Sequence, residues 1–469
     1  MGNIISNINE LIKNTGNLIE LEESIRLFMY EVFASVLGEV FTRLNQVINE
    51  NKQAMGWIVK REDWKTVQFT FGAVRFRHTL MADENGDSHY PFDEWLGLRK
   101  SQRHSPLVEV KVAELASEST YRETARVLKE WTAVNLSHTT VGNIVRRVGK
   151  AQAQADEEMV TELDEAASLP EGKKVEYLYA EADGVFVRGK EKKKSLEVRH
   201  AVVHEGWERN GKRVALREPK VIMTTQSTPD FWKEVQALTA HCYSLEDTQV
   251  VTNSDGGLGY TAEKFQEAFS QSNLPVLNQL DHYHVSQALN RALGGGQSEY
   301  KDGIKKALKD HNLDDFMLWL DTYESTLDDA KRIEKVKAFR TYITNNWERI
   351  FDWREVVENP PKGARSLGAM ESNQRHISFR MKKRGMHWSS EGGEAMVKVK
   401  QGILNQTLRN VYVKHQHRSA RKQREVKRIV RMSEILRNPT RPSVGVKQGA
   451  IGLYTAHSTA MGHLVKSFK

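Results

Sequence analysis

The stretch EYLYAEADGVFVRGKEKKKSLEVRHAVVHEGW, residues 176–207, decides how this chain is to be read. Val, Tyr and Phe on both sides of Asp183 favour an extended chain, a setting that usually excludes Asp. Taken alone, Asp183-Gly184 fits a tight hairpin turn, because the pair supplies the positive φ that such turns need. A better turn lies downstream in GKEKKKS (189–195), which returns the chain into the strand-like SLEVRHAVVHEGW; RVALREPKVIMTTQ (213–226) offers a third strand. Three successive antiparallel strands would put Asp183 in the middle of the first, on one face with Tyr177, Tyr179, Glu181, Val185 and Val187. An acid facing a partly buried site costs free energy unless it is paired or holds a metal. Local sequence leaves both readings open, turn or in-strand ligand.

The 469 residues exceed one typical domain, so two to four units with a sizeable core are expected. Hydrophobic residues at 39% and charged residues at 28% describe a globular chain, not a disordered one. No run approaches the roughly 18 uncharged apolar residues of a membrane span. LFMYEVFASVLGEVF, the most apolar early run, is broken by Glu31 and Glu39. There is no basic region followed by an apolar core at the start, hence no expected signal peptide. The single cysteine, Cys242, excludes an internal disulfide and a Cys-rich zinc site and suits a reducing cytoplasm, the expected location. MGNIIS matches the short myristoylation pattern at Gly2, one that arises often by chance.

Charge is more informative in its placement than in its total. Between Ser372 and Lys447 stand 19 Lys/Arg and 4 Asp/Glu, a local net of +15, while the whole chain is +8 and the remainder therefore about −7. Arginine predominates in RSARKQREVKRIVRM (418–432), which includes Arg421 and Arg424, and its forked donors suit phosphate. One basic block on a mildly acidic chain points to a polyanion, with nucleic acid as the expected partner.

Along the chain, Leu21, Ile25, Phe28, Val32, Val36 and Val40 predict a helix over 18–48, for core packing or dimerisation. TVQFTFGAVRFRHTLM (66–81) alternates around Gly72 and predicts a hairpin, with a second turn at ENGD (84–87). Helices are expected over 106–167, strands over 175–255 except near 229–243, and helices again over 285–350. NPPKG (359–363) ends that block. The Pro/Gly-rich segment after Pro439 is expected to be a loosely ordered tail.

TYRETARVLKEWTAVNLSHTTVGNIVRRVGK (120–150) has the pattern of a helix-turn-helix. Thr120 and Glu123 form a capping box. Ser137 caps a second helix with Val141, Ile144, Val145 and Val148 along one face. The other face presents Thr139, Asn143, Arg146, Arg147 and Lys150, the hydrogen-bonding and phosphate-contacting types of a recognition helix. An ordinary helical hairpin with a polar outer face would show the same pattern.

Two further acids stand in settings like that of Asp183. Strand-like TQVVTN leads into Asp255-Gly256-Gly257, where open α/β sheets place their ligands. VLNQLDHYHV (276–285) ends a strand at Asp281, His282, Tyr283 and His284, a cluster too small to make a convincing zinc site. GLGY lacks nucleotide-fingerprint spacing, and no Walker A sequence occurs. Glu371, in AMESNQRHISFRMKKRG (369–385), falls on a predicted helix with Arg375, Ser378 and Lys382 along its face. Two strand acids and one helix acid beside basic residues suggest a two-metal phosphoryl-transfer site, for which Mg²⁺ takes hard oxygen ligands. Mn²⁺ would be a substitute.

EADGVFV, KEKKKSLEVRHAVVHEGW, NSDGGLG, LDHYHV and ESNQRHISFRMKKRGMHWSSEGGEAM, in this order, resemble bacterial insertion-sequence transposases of the ISLre type, a DDE family distantly similar to Mutator-like elements. The resemblance covers most of the chain, including the N-terminal hairpin and DEWLGL (93–98). It implies an α/β, RNase H-like catalytic domain with a helical insertion, and Asp183, Asp255 and Glu371 as the catalytic, metal-binding triad. The spacings of 72 (255 − 183) and 116 (371 − 255) residues leave room for the intervening strands and the insertion. Asp281 and His284 match a supporting D-x-x-H element, and Trp388 matches a post-Glu motif, a contact with the transposon end.

The expected organisation is a helical region (1–60), a β-hairpin region (61–100), a helix-turn-helix region (101–170), the catalytic domain's first part (171–296), the insertion (297–360), a closing part with basic helices (361–438) and the tail (439–469). The resemblance implies a Mg²⁺-dependent transposase that nicks its element's ends and joins the 3′-OH to target DNA, as at least a dimer. DNA contacts would come from Thr139, Asn143, Arg146, Arg147, Arg375, Lys382, Arg421 and Arg424. An RNase H-like nuclease or a non-catalytic DNA-binding regulator would share some of these features.

Overall fold

The structure is a computed structural model, which describes residues 2–99, 101–166, 171–191 and 194–422. It is a mixed α/β protein of two units. One gathers the chain up to Lys111, Tyr121–Thr140 and the described residues from Val413; the other gathers Val112–Thr120 and Val141–Tyr412. The tail expected after Pro439, and Arg424, lie outside the described residues.

The first unit is built on a 36-residue helix, Leu18–Gln53, started by the Asn17 side chain, which accepts from Glu20 N (3.0 Å). An antiparallel hairpin, Ile58–Phe69 with Gly72–Ala82, packs on it, with Phe69 opposite Gly72 at the turn. Gly72 has φ +147°, and a Cβ there would stand 3.0 Å from the Ala34 Cβ. Gly38 admits the Arg75 carbonyl so closely that a Cβ would meet it at 2.4 Å. The buried line of the helix is therefore Ala34, Gly38, Asn45 and Ile48, of which only Ile48 is a large apolar side chain, whereas Val36 of the expected apolar stripe is exposed. Close backbone approach outweighs side-chain hydrophobicity here. Lys65 and His78 both contact the buried Asp93 carboxylate, at 2.6 and 3.1 Å.

The second unit centres on five strands: β1 (Tyr177–Arg188), β2 (Ser195–His204), β3 (Lys220–Thr224), β4 (Gln249–Ser254) and β5 (Leu277–Leu280). Their order is β5-β4-β1-β2-β3. β1, β2 and β3 run antiparallel in succession, and β1, β4 and β5 run parallel. The turn between β1 and β2 falls in the expected GKEKKKS. Within the expected segment 213–226 the third strand is KVIMT (220–224), while RVAL pairs with Trp207–Asn210 in a separate ribbon. The physical reason is burial: Val221, Ile222 and Met223 are buried, whereas Arg213–Leu216 is mostly exposed.

One sheet face, Leu178, Ala180, Ala182, Ala201, Val203 and Ile222, packs with Phe231, Trp232 and Phe265. These come from two helices, Thr228–Cys242 and Ala262–Ala268. On the alternate face of β1, Tyr179 packs with Val251, Trp353 and Leu367. Five further helices matter to the site and its support: α1 (His138–Glu165), α2 (His282–Leu293), α3 (Ala369–Ile377), α4 (Ser390–Leu404) and α5 (Leu408–Lys422). β3 is an edge strand, and α4 and its C-cap answer its free backbone groups: Gln401 accepts from Met223 N (2.9 Å) and Asn405 from Val221 N (2.8 Å). Lys398 of α4, its side chain 1% exposed, reaches Asp156 at 2.7 Å and Glu234 at 2.5 Å. The expected helical block is present as Glu299–Lys309, Leu313–Glu324 and Ala330–Asn345. It has its own core of Ile304, Phe316, Leu320, Val336, Phe339 and Ile343.

Candidate active site

Asp183 stands within β1, opposite His200 of β2, so Asp183-Gly184 is not a hairpin turn. The glycine next to it leaves room for two side chains. A Cβ on Gly184 would lie 2.6 Å from Glu197 Oε1 and 3.0 Å from the Tyr260 hydroxyl. One Asp183 oxygen accepts from Gly184 N (2.6 Å), and the other accepts from the Gln374 side-chain amide of α3.

Asp255 follows β4 directly, at the C-terminal end of a strand parallel to β1. Gly256 takes φ +79°, and Asp255 Oδ1 accepts from Gly257 N (2.8 Å). Tyr342 donates to the Asp255 carbonyl (3.0 Å), and Arg349 donates to Ser254 Oγ (2.7 Å), so the helical block braces this loop. Asp281 follows β5 and caps α2, accepting from Tyr283 N (2.8 Å) and holding His284 Nδ1 at 3.1 Å.

These groups form one electrostatic cluster. Burial, then the negative charge of Asp255, pushes Asp183 up to about 6. The hydrogen bond that His284 donates to Asp281 holds this imidazole above its ordinary range, and Asp183 and Asp255 add to that effect. Burial works against ionisation of Asp281, but the His284 and Tyr283 hydrogen bonds outweigh it and hold this carboxyl low. His200, fully buried opposite Asp183, is pushed down to about 3 by burial and is neutral.

Glu371 occupies the first turn of α3 and is exposed. Its neighbour one turn on, Gln374, is the residue that reaches Asp183. The structure thus couples Asp183 with Asp255, Asp281 and His284, and sets Glu371 on a helix tied to Asp183. Among the described residues no three His, Cys, Asp or Glu side chains already converge as a metal cage, and this includes the Asp281-His282-His284 zinc alternative. Asp183 and Asp255 nevertheless fit a hard divalent cation. The negative charge of Asp255 raises the cost of ionising Asp183, and both side chains offer oxygen.

Glu181 was on the expected strand face but had no assigned role. It is completely buried. Its two oxygens accept from Gly368 N (3.1 Å), Ala369 N (2.9 Å) and Met370 N (3.1 Å), the start of α3. The only sequence signal was its spacing of two residues from Asp183.

The nominated DNA contacts divide. On α1, Val141, Ile144, Val145 and Val148 are buried as expected, Thr139 and Asn143 are exposed, and Arg146 donates to Asn143 (3.0 Å). Arg147 is half-buried and engaged in other interactions. Arg375 and Lys382 are exposed on α3 and on its π-helical continuation, Ser378–Lys382. Arg421 falls at the described end of α5. Trp388 is not an available DNA contact: it is 5% exposed, donates to the Met381 carbonyl (3.1 Å) and lies under Arg380. Among the described residues no helix is long and apolar enough to cross a membrane.

A model of a family described as an uncharacterised protein family, UPF0236, matches residues 11–417. The "UPF0236 protein in vanSb 3'region" of Streptococcus gallolyticus is 31% identical over 468 residues, 99% of each chain. A UPF0236 protein of Caldanaerobacter subterraneus subsp. tengcongensis, whose name joins eleven locus designations, is 24% identical over 396 residues, 83% of this chain and 79% of its own. Another from the same organism is 23% identical over 401 residues, 85% of this chain and 80% of its own.

Proposed function

This chain belongs to the uncharacterised protein family UPF0236, and from its strand acids we propose that it is a DNA transposase of the DDE type. The observation that carries the proposal is the charge coupling of Asp183, inside β1, with Asp255, just past the adjacent parallel strand β4, in a sheet ordered β5-β4-β1-β2-β3. That order, with an acid inside β1 and another just past β4, is the one expected of an RNase H-like catalytic domain. The helical block between β5 and α3 occupies the place of the insertion implied by the ISLre-type resemblance. The eleven loci in one relative's name are what a sequence copied about a single genome would leave.

In this account Asp183, Asp255 and Glu371 hold the metal. When bound, two Mg²⁺ ions, or Mn²⁺ in their place, would activate the attacking oxygen and stabilise the leaving one. The chain's own part is to position and to neutralise. Asp183 stands on β1 and Asp255 just past the end of the neighbouring β4, so the sheet sets their spacing. Gln374 orients Asp183 by its hydrogen bond, and Tyr342 and Arg349 fix the loop that bears Asp255. Arg375 and Lys382 grip DNA phosphates beside Glu371, and Arg421 and Arg424 are further phosphate contacts. Thr139, Asn143 and Arg146 of α1, in a helix-turn-helix with Tyr121–Trp131, read the element's terminal repeats, with Arg147 supporting them. Synapsis of two ends requires at least a dimer.

The test is to incubate the protein with labelled ends of its own flanking DNA, a target plasmid and Mg²⁺. Cleavage followed by joining of the 3′ ends to the plasmid is expected. Cleavage without joining would make the protein a nuclease of the same fold, and binding without cleavage would make it a regulator.

A further inference from the structure

We propose that Glu181 is a positioning residue, which fixes the helix carrying Glu371 and Gln374 in register with Asp183. The role of the helix in the chemistry rests on the transposase proposal; the anchoring does not. The first turn of a helix leaves backbone N–H groups without partners, and a side chain at the N-cap usually answers them. In α3 the N-cap position is Gly368, which has no side chain to offer and takes φ +140°. The missing cap comes from the sheet: Glu181 accepts from three consecutive N–H groups, 187 to 189 residues away in the chain. A buried carboxylate at that end is also favoured by the helix dipole.

The same strand face grips the helix a second time, where Asp183 accepts from Gln374. The two grips match in length. Two residues along a strand advance about 6.6 Å, and four to five residues along a helix advance about 6–7.5 Å. A helix held at both points can neither slide nor rotate on the strand. Glu371 lies between them and projects within about 60° of Gln374 around the axis. The point on α3 from which Glu371 projects is thus set by Glu181.

The proposal is tested on the full chain with Glu181→Gln, Gly368→Ala and Asp183→Asn. The readouts are amide hydrogen exchange and Mn²⁺ binding followed by electron paramagnetic resonance. Glu181→Gln puts an amide donor against backbone donors. In this variant the amides of 368–374 should exchange at least tenfold faster while the sheet keeps its protection, and Mn²⁺ affinity should fall about tenfold, as for the loss of a partner that orients a ligand. Wild-type exchange across 368–374 in a folded variant overturns the proposal. Faster exchange with wild-type Mn²⁺ affinity also overturns it, because Glu181 is then a helix cap and nothing more. Should Glu181→Gln fail to fold, Gly368→Ala decides on the same two readouts. It loosens the anchor from the exposed loop side, where its Cβ meets nothing within 4 Å and only the backbone conformation is strained. Wild-type Mn²⁺ binding by Asp183→Asn would instead overturn the metal-site assignment, whatever Glu181→Gln does.

Discussion

The Gln374 amide donates a hydrogen bond to the Asp183 carboxylate across 191 residues of sequence. This contact ties the helix of the third nominated acid to the strand of the first. Gln374→Ala should leave DNA binding intact and lower end cleavage by about tenfold, the low end of the effect of losing a partner that orients a ligand. Single-turnover cleavage beside a filter-binding assay checks this, and an equal loss in both would point to misfolding.

Lys398 is fully buried and pairs with two acids, Asp156 and Glu234. Replacing it with Met removes the cation and leaves both carboxylates in the interior. The expected loss is about 3–5 kcal/mol of unfolding free energy, read from urea midpoints.

Gly149 of α1 packs on Ala395 of α4 so tightly that a Cβ would sit 2.3 Å from the Ala395 carbonyl oxygen. The obstacle is backbone and cannot rotate away. Gly149→Ala should cost about 3 kcal/mol by overpacking. Gly86→Ala has open space and pays only for its φ of +86°, and should cost about 1 kcal/mol.

Stability should fall on mild acidification. Burial against Tyr179 and Trp207 pushes His204 down to about 4, whereas in the unfolded chain it titrates near ~6.5. A base with a depressed folded pKa favours unfolding once protons are available. Its contribution is therefore complete above about pH 6.5 and is lost as pH falls towards 4. From pH 7 to 5 the loss from this group is about 2 kcal/mol. Chemical denaturation of the protein and of His204→Gln at both pH values should show that much less acid sensitivity in the variant.

Asn143 and Arg146 share an outward face of α1. Asn143→Ala should reduce discrimination between terminal-repeat and scrambled DNA by about tenfold, the range of one base contact. Arg146→Ala should weaken binding to both and lower the salt slope by about one. Fluorescence anisotropy between 50 and 200 mM salt, spans on the order of those used for such slopes, distinguishes the two.

Much of the fold was legible because it rests on local signals. GKEKKKS turns β1 into β2, Gly72 turns the N-terminal hairpin, and helical periodicity marks the block over 285–350. Errors arose where packing overrides pattern. The expected third-strand segment (213–226) divides: its short buried part, KVIMT, joins the sheet, while the exposed RVAL pairs with Trp207–Asn210 instead. The long N-terminal helix buries Ala34 and Gly38 because a hairpin backbone approaches it, a demand that periodicity cannot express. Trp388, expected from the resemblance to contact the transposon end, is buried beneath Arg380. In the site, each acid could be nominated from its own strand or helix. The partners Gln374 and Glu181 could not, because their roles exist only where α3 meets β1.

The most direct measurement is end cleavage by Asp183→Asn under single-turnover conditions with Mg²⁺, alongside DNA binding. The substitution keeps the shape of the side chain and removes its charge. The account requires DNA binding within about twofold of the unmodified protein and a cleavage rate lower by about 10³-fold or more, on the scale of losing a group central to phosphoryl transfer. Cleavage by Asp183→Asn at the unmodified rate would contradict it.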